Sequence, residues 1–462
     1  MGEASWAETE FGEAALGDER LTARLVDLAT TLAERPSASL PEACADGAQM
    51  KAAYRFFSNA MIEPAAMLAS HVEATLGRLG AVERVLAVQD TTVVDYSGHP
   101  ATSGLVALND TRHQGFLVHT TLAFTPERVP LGLLAQQVWT RDPAELGQRA
   151  TRKQRAIADK ESSKWLTSLA AVAAARARCP GTHLVSVGDR EADVYDLFVA
   201  ERPAGVDLLV RAAWDRGVAA PQRHLWAAVA AAPVAALLEV AVPRAAGRPA
   251  RTAHLTLRFT PVTLRPPRHR AAERLPATAL VAVWAVETAP PPGTPAIEWL
   301  LLTSCPVQDA AQAAEIVAWY GCRWGIEVWH KVLKSGCRIE ARQLETAERL
   351  ERCLTLYSVI AWHILWATLL ARAAPELPCT VLLEPDEWQA LCCAVQRTAT
   401  PPKSPPTVRQ AVRWIAQLGG FPARASDGEP GPTVLWRGFQ HLADLTTMYR
   451  IMKPPLPLQK CG

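Results

Sequence analysis

Apolar positions recur with two different periods along this chain, and the change of period marks its organisation. From Leu21 to Leu32 the spacing is helical, with Gly17-Asp18 supplying a turn and a cap just before it. A second helix is predicted to begin near Ala48 and to carry Tyr54, Arg55, Phe56 and Phe57, so residues 1–75 read as helical. From Val85 the pattern becomes strand-like. Val85–Val94 reads as a buried strand with a carboxylate in it, and Gly115–Phe124 and Leu131–Trp139 read as a hairpin. Lys160-Glu-Ser-Ser-Lys164-Trp165 opens a helix, and His183–Gly188 is a strand that ends at Asp189 before another helix. Four strands are predicted at Ala235–Val242, His254–Leu264, Ala279–Val286 and Glu298–Thr303, separated by Pro-rich turns. The chain then turns helical from Ala310 to Lys334 and stays mostly so. Residues 400–406 form a Pro-rich linker, and helices follow at Val408–Leu418 and Thr433–Tyr449.

Strands first, then strand and helix in alternation, predict a mixed α/β sheet. The expected division is a helical segment 1–75, an α/β body 76–375 with a β-rich insertion at 211–305, and a helical segment 376–462. No internal repeat is visible.

The 462 residues suffice for two or three domains, and 49% hydrophobic with 20% charged is ordinary for a globular protein. No apolar run of about 20 residues predicts a membrane span, and the acidic start Met1-Gly-Glu-Ala-Ser-Trp lacks a signal-peptide pattern. Ten cysteines without Cys-x-x-Cys pairs read as reduced thiols of the cytoplasm. Net charge is only +2, but its distribution is uneven. From Arg211 to Arg274 there are eleven Arg against three acids, whereas residues 1–70 hold eleven acids against five basic residues. The Arg-rich stretch is either a solvated surface or an electrostatic platform for phosphate; its placement among strands favours the platform. Arg20, Arg24, Lys51 and Arg55 on the first helices fit a small DNA-reading domain or a helical packing appendage equally well.

The chemistry concentrates near residue 325. Tyr320, Arg323, Glu327 and Lys334 are separated by three, four and seven residues, which stacks them on one helix face together with Lys331. A core-facing stripe would be apolar; this one suits a metal-bound carboxylate surrounded by donors for phosphate oxygens. Asp90 lies inside a hydrophobic strand, where a carboxylate costs several kcal/mol unless paired or metal-bound. Asp189 sits at a strand end, where α/β sheets place chemistry. Two acids from neighbouring strands and one from a helix could hold two Mg²⁺ ions for in-line phosphoryl displacement. Each acid also has a structural reading: Asp90 capping a turn beside Thr91, Asp189 as a helix cap paired with Arg190, Glu327 paired with Arg323 or Lys331.

Taken together these residues resemble the DDE transposases of the bacterial insertion-sequence-4 group, most closely its transposon-five branch, over nearly the full chain. The group's Tyr-x2-Arg-x3-Glu-x6-Lys signature is met by Tyr320, Arg323, Glu327 and Lys334. Asp90 in Gln-Asp-Thr-Thr and Asp189 in Gly-Asp-Arg-Glu-Ala-Asp match its two aspartates. The resemblance implies an RNase H-like catalytic core with a β insertion, an N-terminal end-binding domain and a C-terminal dimerisation region. It implies catalysis by Asp90, Asp189 and Glu327 with two Mg²⁺ (Mn²⁺ able to substitute), and a homodimer acting on double-stranded DNA in the bacterial cytoplasm at the nucleoid. The reaction would be cut-and-paste transposition through a hairpin intermediate. Tyr320, Arg323 and Lys334 would hold phosphates, joined by Lys331 from the same helix stripe, and Arg211 would lie near the DNA end, with Arg20 and Arg24 as DNA contacts on the first helices. Trp299 would stack on a base that leaves the duplex, supported by Trp324; the other reading of Trp299 is sheet core. The chain departs from the group in having Arg20-Leu21 where two adjacent Arg are expected, and in Gly325, which costs about 1 kcal/mol in a helix and predicts local looseness. Other readings are an RNase H-like nuclease without strand transfer, and a non-catalytic DNA-binding remnant or inhibitor of transposition.

Overall fold

A computed structural model describes residues 4–108, 113–141, 160–219, 221–242 and 249–453. Ten strands form one sheet: β1 (Arg84–Asp95), β2 (Val106–Ala107), β3 (Gln114–Phe124), β4 (Pro130–Trp139), β5 (His183–Gly188), β6 (Val206–Arg211), β7 (Ala236–Val242), β8 (Arg251–Leu264), β9 (Thr278–Glu287) and β10 (Glu298–Thr303). Their order is β2-β3-β1-β5-β6-β10-β9-β8-β7, with β4 also paired to β3. β1 and β3 are antiparallel, as are β3 and β4, while β1, β5 and β6 run parallel.

The segment 211–305, which the sequence predicts as a β-rich insertion, adds strands β7 to β10 to the same sheet. It is continuous with the body, because β10 returns antiparallel to β6 and pairs Leu301 with Arg211. One sheet thus runs from the hairpin through the parallel strands and out along β9, β8 and β7. The strand β6, which carries Arg211, has no alternating pattern in sequence because Leu208, Leu209 and Val210 are all buried.

Helix Ala347–Ala373 lies across β4 and forms the spine of the core. It is long and apolar enough to cross a membrane by length and composition, but 89% of its most apolar window is buried inside the protein. Helix Pro64–Leu79 presses on β4 so closely that a Cβ at Gly132 would sit 1.9 Å from Thr75 Oγ1, which requires glycine there. The first helices, Trp6–Phe11, Glu19–Glu34 and Gly47–Ser58, start at caps: Ser5, Asp18 and Asp46 each accept a backbone N–H from the first turn. Two buried guanidinium groups hold this segment to the body. Arg352 donates to the Ile62 carbonyl at 2.7 Å and the Phe57 carbonyl at 3.2 Å, and Arg342 donates to Pro36 at 2.5 Å and to Ala38. At the other end, helices Pro385–Gln396, Val408–Leu418 and Pro432–Met452 pack around their own apolar cluster.

Candidate active site

β1 is buried from Val85 to Gln89 and emerges at Asp90. Its parallel register with β5 pairs Val88 with Val187, and two residues further along each strand stand Asp90 and Asp189. Parallel pairing therefore delivers two carboxylates to the same edge of the sheet. Asp189 Oδ1 accepts the Glu191 N–H at 2.8 Å and caps a short turn, as one reading of the sequence had it. Its second oxygen makes no hydrogen bond among the described residues. Asp90 Oδ1 likewise accepts only the neighbouring Thr91 N–H, at 2.8 Å.

The third acid arrives from helix Trp324–Lys331. The helix predicted from 310 to 334 is interrupted. It runs from Ala310 to Gly321 and tightens through Cys322 and Arg323, where backbone bonds span three residues instead of four. After Lys331 it widens into a single π turn, Val332–Gly336. Across this turn Tyr320, Arg323 and Glu327 remain neighbours, with Arg323 acted on by both Tyr320 and Glu327. Tyr320 is buried against Trp299, their rings 5.5 Å apart, while Glu327 and Lys331 are exposed and Lys334 Nζ pairs with Glu340 at 3.1 Å.

Gly325 is not a loose point. A Cβ there would lie 2.6 Å from the Phe124 ring, so glycine lets the helix descend onto β3. Ile326 and Trp329 are fully buried below, and Trp329 Nε1 donates to the Ser358 carbonyl at 3.2 Å. Glu327 is thereby held on a rigid element above the two aspartates.

The electrostatics of this cluster are unbalanced. Burial raises Asp90 to about 6, and the nearby charges of Asp189 and Glu327 add to the rise against the pull of Thr91 and Arg323. Asp189 is raised too, first by burial. Arg323 lies between the acids, 3.6 Å from Asp90 Oδ2 and bonded directly to Glu327, so a guanidinium supplies the positive charge that the site lacks. Three carboxylates with no sulfur among them form a donor set for a hard cation, and the mutual repulsion of the acids is what a divalent ion would relieve.

Sequence reasoning missed two histidines. His330 Nδ1 lies 4.0 Å from Asp90 Oδ2, and His119, opposite Thr91 on β3, shares a 2.9 Å hydrogen bond with the Thr91 hydroxyl. Burial lowers both imidazoles to about 3, so they are neutral. The signal was available for His330, which follows Glu327 by three residues on the helix. Lys164 is a third neighbour. Its ammonium pairs with Glu191 at 3.2 Å and pulls on Asp189.

Among the aromatic candidates, Trp299 is 6% exposed and Trp324 is 51% exposed, the two rings 5.6 Å apart. The sheet-core reading of Trp299 describes its burial, and the ring open to a ligand is Trp324. It borders a cavity of about 910 Å³ rimmed by Arg128, Arg251 and Arg372. Arg211 donates to the Glu298 carbonyl at 2.8 Å and its charge reaches Tyr320.

The Arg-rich stretch is less of a platform than its composition suggests. Arg216 is bonded to Asp193, Arg251 to Glu287, Arg258 to the Ala232 carbonyl and Arg270 to Asp196 and Glu273. Arg244 and Arg248 lie outside the described residues. On the first helices Arg20 is exposed, and Arg24 stands 3.6 Å from Asp27. Both are remote in sequence from the acids.

Comparison with known families bears on both ends of the chain. Residues 3–62 match the family model described as transposase DNA-binding, and residues 359–453 match that of the transposase Tn5 dimerisation domain. The two matches support a Tn5-like transposase, a DNA-processing protein that binds DNA and pairs with itself. Asp90, Asp189 and Glu327 all lie between the matched segments.

Proposed function

We propose that this chain is a cut-and-paste DNA transposase of the DDE type, with Asp90, Asp189 and Glu327 as its catalytic acids. The observation that carries this reading is the convergence of three carboxylates from two parallel strands and one helix, with their charge only partly balanced. The order β4-β3-β1-β5-β6, three antiparallel strands followed by two parallel ones, supports an RNase H-like core. Two Mg²⁺ ions, or Mn²⁺ in their place, would be held by the three acids, and when bound would supply the charge that activates an attacking oxygen and stabilises a leaving one.

The chain's own groups do the rest. Arg323 balances the acids in the free protein and offers a planar fork to a phosphate oxygen once a cation takes over that task. Lys331, Lys334 and Lys164 add point charges around the same edge, and Tyr320 is held by Trp299 and Arg211 as a fixed hydroxyl donor. His119 and His330, neutral and buried, back Thr91 and Asp90 and exclude water beneath them. Trp324 presents its ring beside a cavity rimmed by arginines, a surface suited to a base that has left the stack. Trp299 supports that ring from below. Arg20 and Arg24 lie in the segment matched to transposase DNA binding and are candidates for reading the transposon end. Homodimerisation would use the last helix, where Met448, Ile451 and Met452 are 55%, 73% and 75% exposed. The site of action would be DNA in the bacterial cytoplasm.

The test is product analysis on linear DNA carrying the inverted repeats that flank the gene. Hairpin-ended products are expected from the wild type, with Trp324→Ala impairing hairpin formation more than first-strand nicking. Nicks without hairpins would favour a nuclease, and binding without cutting a remnant or regulator.

A further inference from the structure

At the far end of β5 from Asp189, roughly 20 Å along the strand, a second group of potential ligands comes together. His183 opens β5, Asp207 is the second residue of β6, and Cys305 follows β10. One ligand atom from each lies within 4.8 Å of the other two. His183 Nε2 and Asp207 Oδ2 are 2.7 Å apart. Two strands and the segment just past a third therefore contribute one nitrogen, one oxygen and one sulfur ligand at a single point. We propose that His183, Asp207 and Cys305 bind a zinc ion that ties β5, β6 and the end of β10 together, with water in the fourth position. This proposal does not depend on the transposase reading.

The donor set is the argument for zinc. A mixture of thiolate, imidazole and carboxylate suits a borderline-soft ion that accepts tetrahedral geometry, and not the hard cation expected at the three acids. The supporting shell is also present. Ser304 Oγ donates to Asp207 Oδ1 at 2.6 Å, which fixes the carboxylate and turns its other oxygen toward His183. The Cys305 N–H donates to Thr303 Oγ1 at 3.1 Å, which sets the cysteine backbone. A tetrahedral zinc spaces its ligand atoms roughly 3–4 Å apart, so the 2.7 Å gap between His183 and Asp207 has to open by roughly 0.5 Å and no pair has to close by much more than about 1 Å. His183 and Asp207 are 27% and 22% exposed and have room to turn.

The protons balance. Arg84 Nε now faces His183 Nδ1 at 3.3 Å, and His183 Nε2–H points at Asp207. On binding, the imidazole proton moves to Nδ1, which can then no longer accept from Arg84, so the guanidinium turns aside and keeps Glu315 at 3.2 Å and the Trp319 ring at 4.6 Å as its partners. Cys305, whose thiol burial pushes up to about 12, gives its proton to solvent when the cation compensates the thiolate.

Cobalt(II) is the probe, because thiolate-to-cobalt charge transfer absorbs in the near ultraviolet only when sulfur is a ligand. The full chain carrying Asp189→Ala and Glu327→Gln, which removes two of the acids of the other site, is titrated with cobalt and then competed with zinc. One equivalent with a thiolate band, displaced by zinc, is expected. Cys305→Ser should abolish the band, His183→Ala should weaken binding at least about tenfold, and Ser304→Ala, which removes no ligand, about 10- to 100-fold. A band that persists in Cys305→Ser, or no band in the parent, overturns the proposal. If Cys305→Ser does not fold, unchanged affinity in Ser304→Ala does the same.

Discussion

Glu10 and Asp90 are both carboxylates withdrawn from water, and they respond in opposite directions. Glu10 sits in the first helix with 3% of its side chain exposed. Arg78 grips both of its oxygens, at 2.6 and 3.1 Å, and His71 Nδ1 is 2.5 Å away. The Leu133 N–H donates to His71 Nε2 at 2.9 Å, so the imidazole proton must be on Nδ1, directed at Glu10. Burial alone would raise Glu10, but His71 and Arg78 outweigh it and bring it down to about 2. Burial also lowers His71, consistent with a neutral ring. Asp90 has a single backbone donor, an arginine at 3.6 Å and two other acids nearby, and stands at about 6. The first carboxylate is satisfied by the fold itself and holds a helix in place. The second is left short of positive charge, which is how a site for an external cation differs from a structural ion pair.

The two carboxylates differ most in their consequence for activity. Asp189→Ala should reduce cleavage below detection while DNA-end binding persists, as gel assays of binding and cutting on one substrate would report. The next largest effect is on stability. Glu10→Gln leaves the half-buried Arg78 and the buried His71 without their carboxylate and should cost about 2–4 kcal/mol in denaturant unfolding, with no role for added Mg²⁺. Gly325→Ala forces a methyl into Phe124 and should cost about 1–3 kcal/mol, along with cleavage activity as Glu327 is displaced.

Asp90→Asn tests the opposite sign. Because the folded pKa is raised from 3.8 to about 6, the favourable contribution of Asp90 exists below its unfolded pKa and is lost as pH rises through 6. At neutral pH the ionised form is a burden, so Asp90→Asn should stabilise the metal-free protein by about 1–2 kcal/mol while losing cleavage. For Glu10 the folded pKa is depressed, so its contribution is complete above 4.5 and disappears as pH falls toward 2. Acid unfolding of wild type against Glu10→Gln checks this: the stability gap between them should close in that window. The smallest effect is Arg24→Ala, which should change stability by no more than about 0.5 kcal/mol and report only on DNA-end binding.

Much of this was legible in sequence where the causes are local. Helix Val408–Leu418 begins and ends where its apolar spacing says, since Thr407 and Gln410 form a capping box. Glu298–Thr303 is a strand at its predicted bounds. The two aspartates stood out because a carboxylate in or beside a buried strand needs a reason. What could not be read arises from contacts between distant segments. The tight turn at Cys322–Arg323, the burial of Trp299, and the pairing of Arg216 and Arg270 with Asp193 and Asp196 depend on neighbours that periodicity does not reveal. Glu10 meets His71 and Arg78, and His183 meets Asp207 and Cys305, only through the fold. None of these groups has a spacing that would announce it.

The measurement that bears most directly on the three acids is cleavage of an end-bearing DNA as a function of Mg²⁺, in wild type and in Glu327→Gln matched for DNA-end binding. We expect cleavage that requires the cation in the wild type and none in the variant at any Mg²⁺ concentration. Metal-independent cutting, or cutting retained by Glu327→Gln, would contradict the assignment of Asp90, Asp189 and Glu327 as one cation-binding catalytic site.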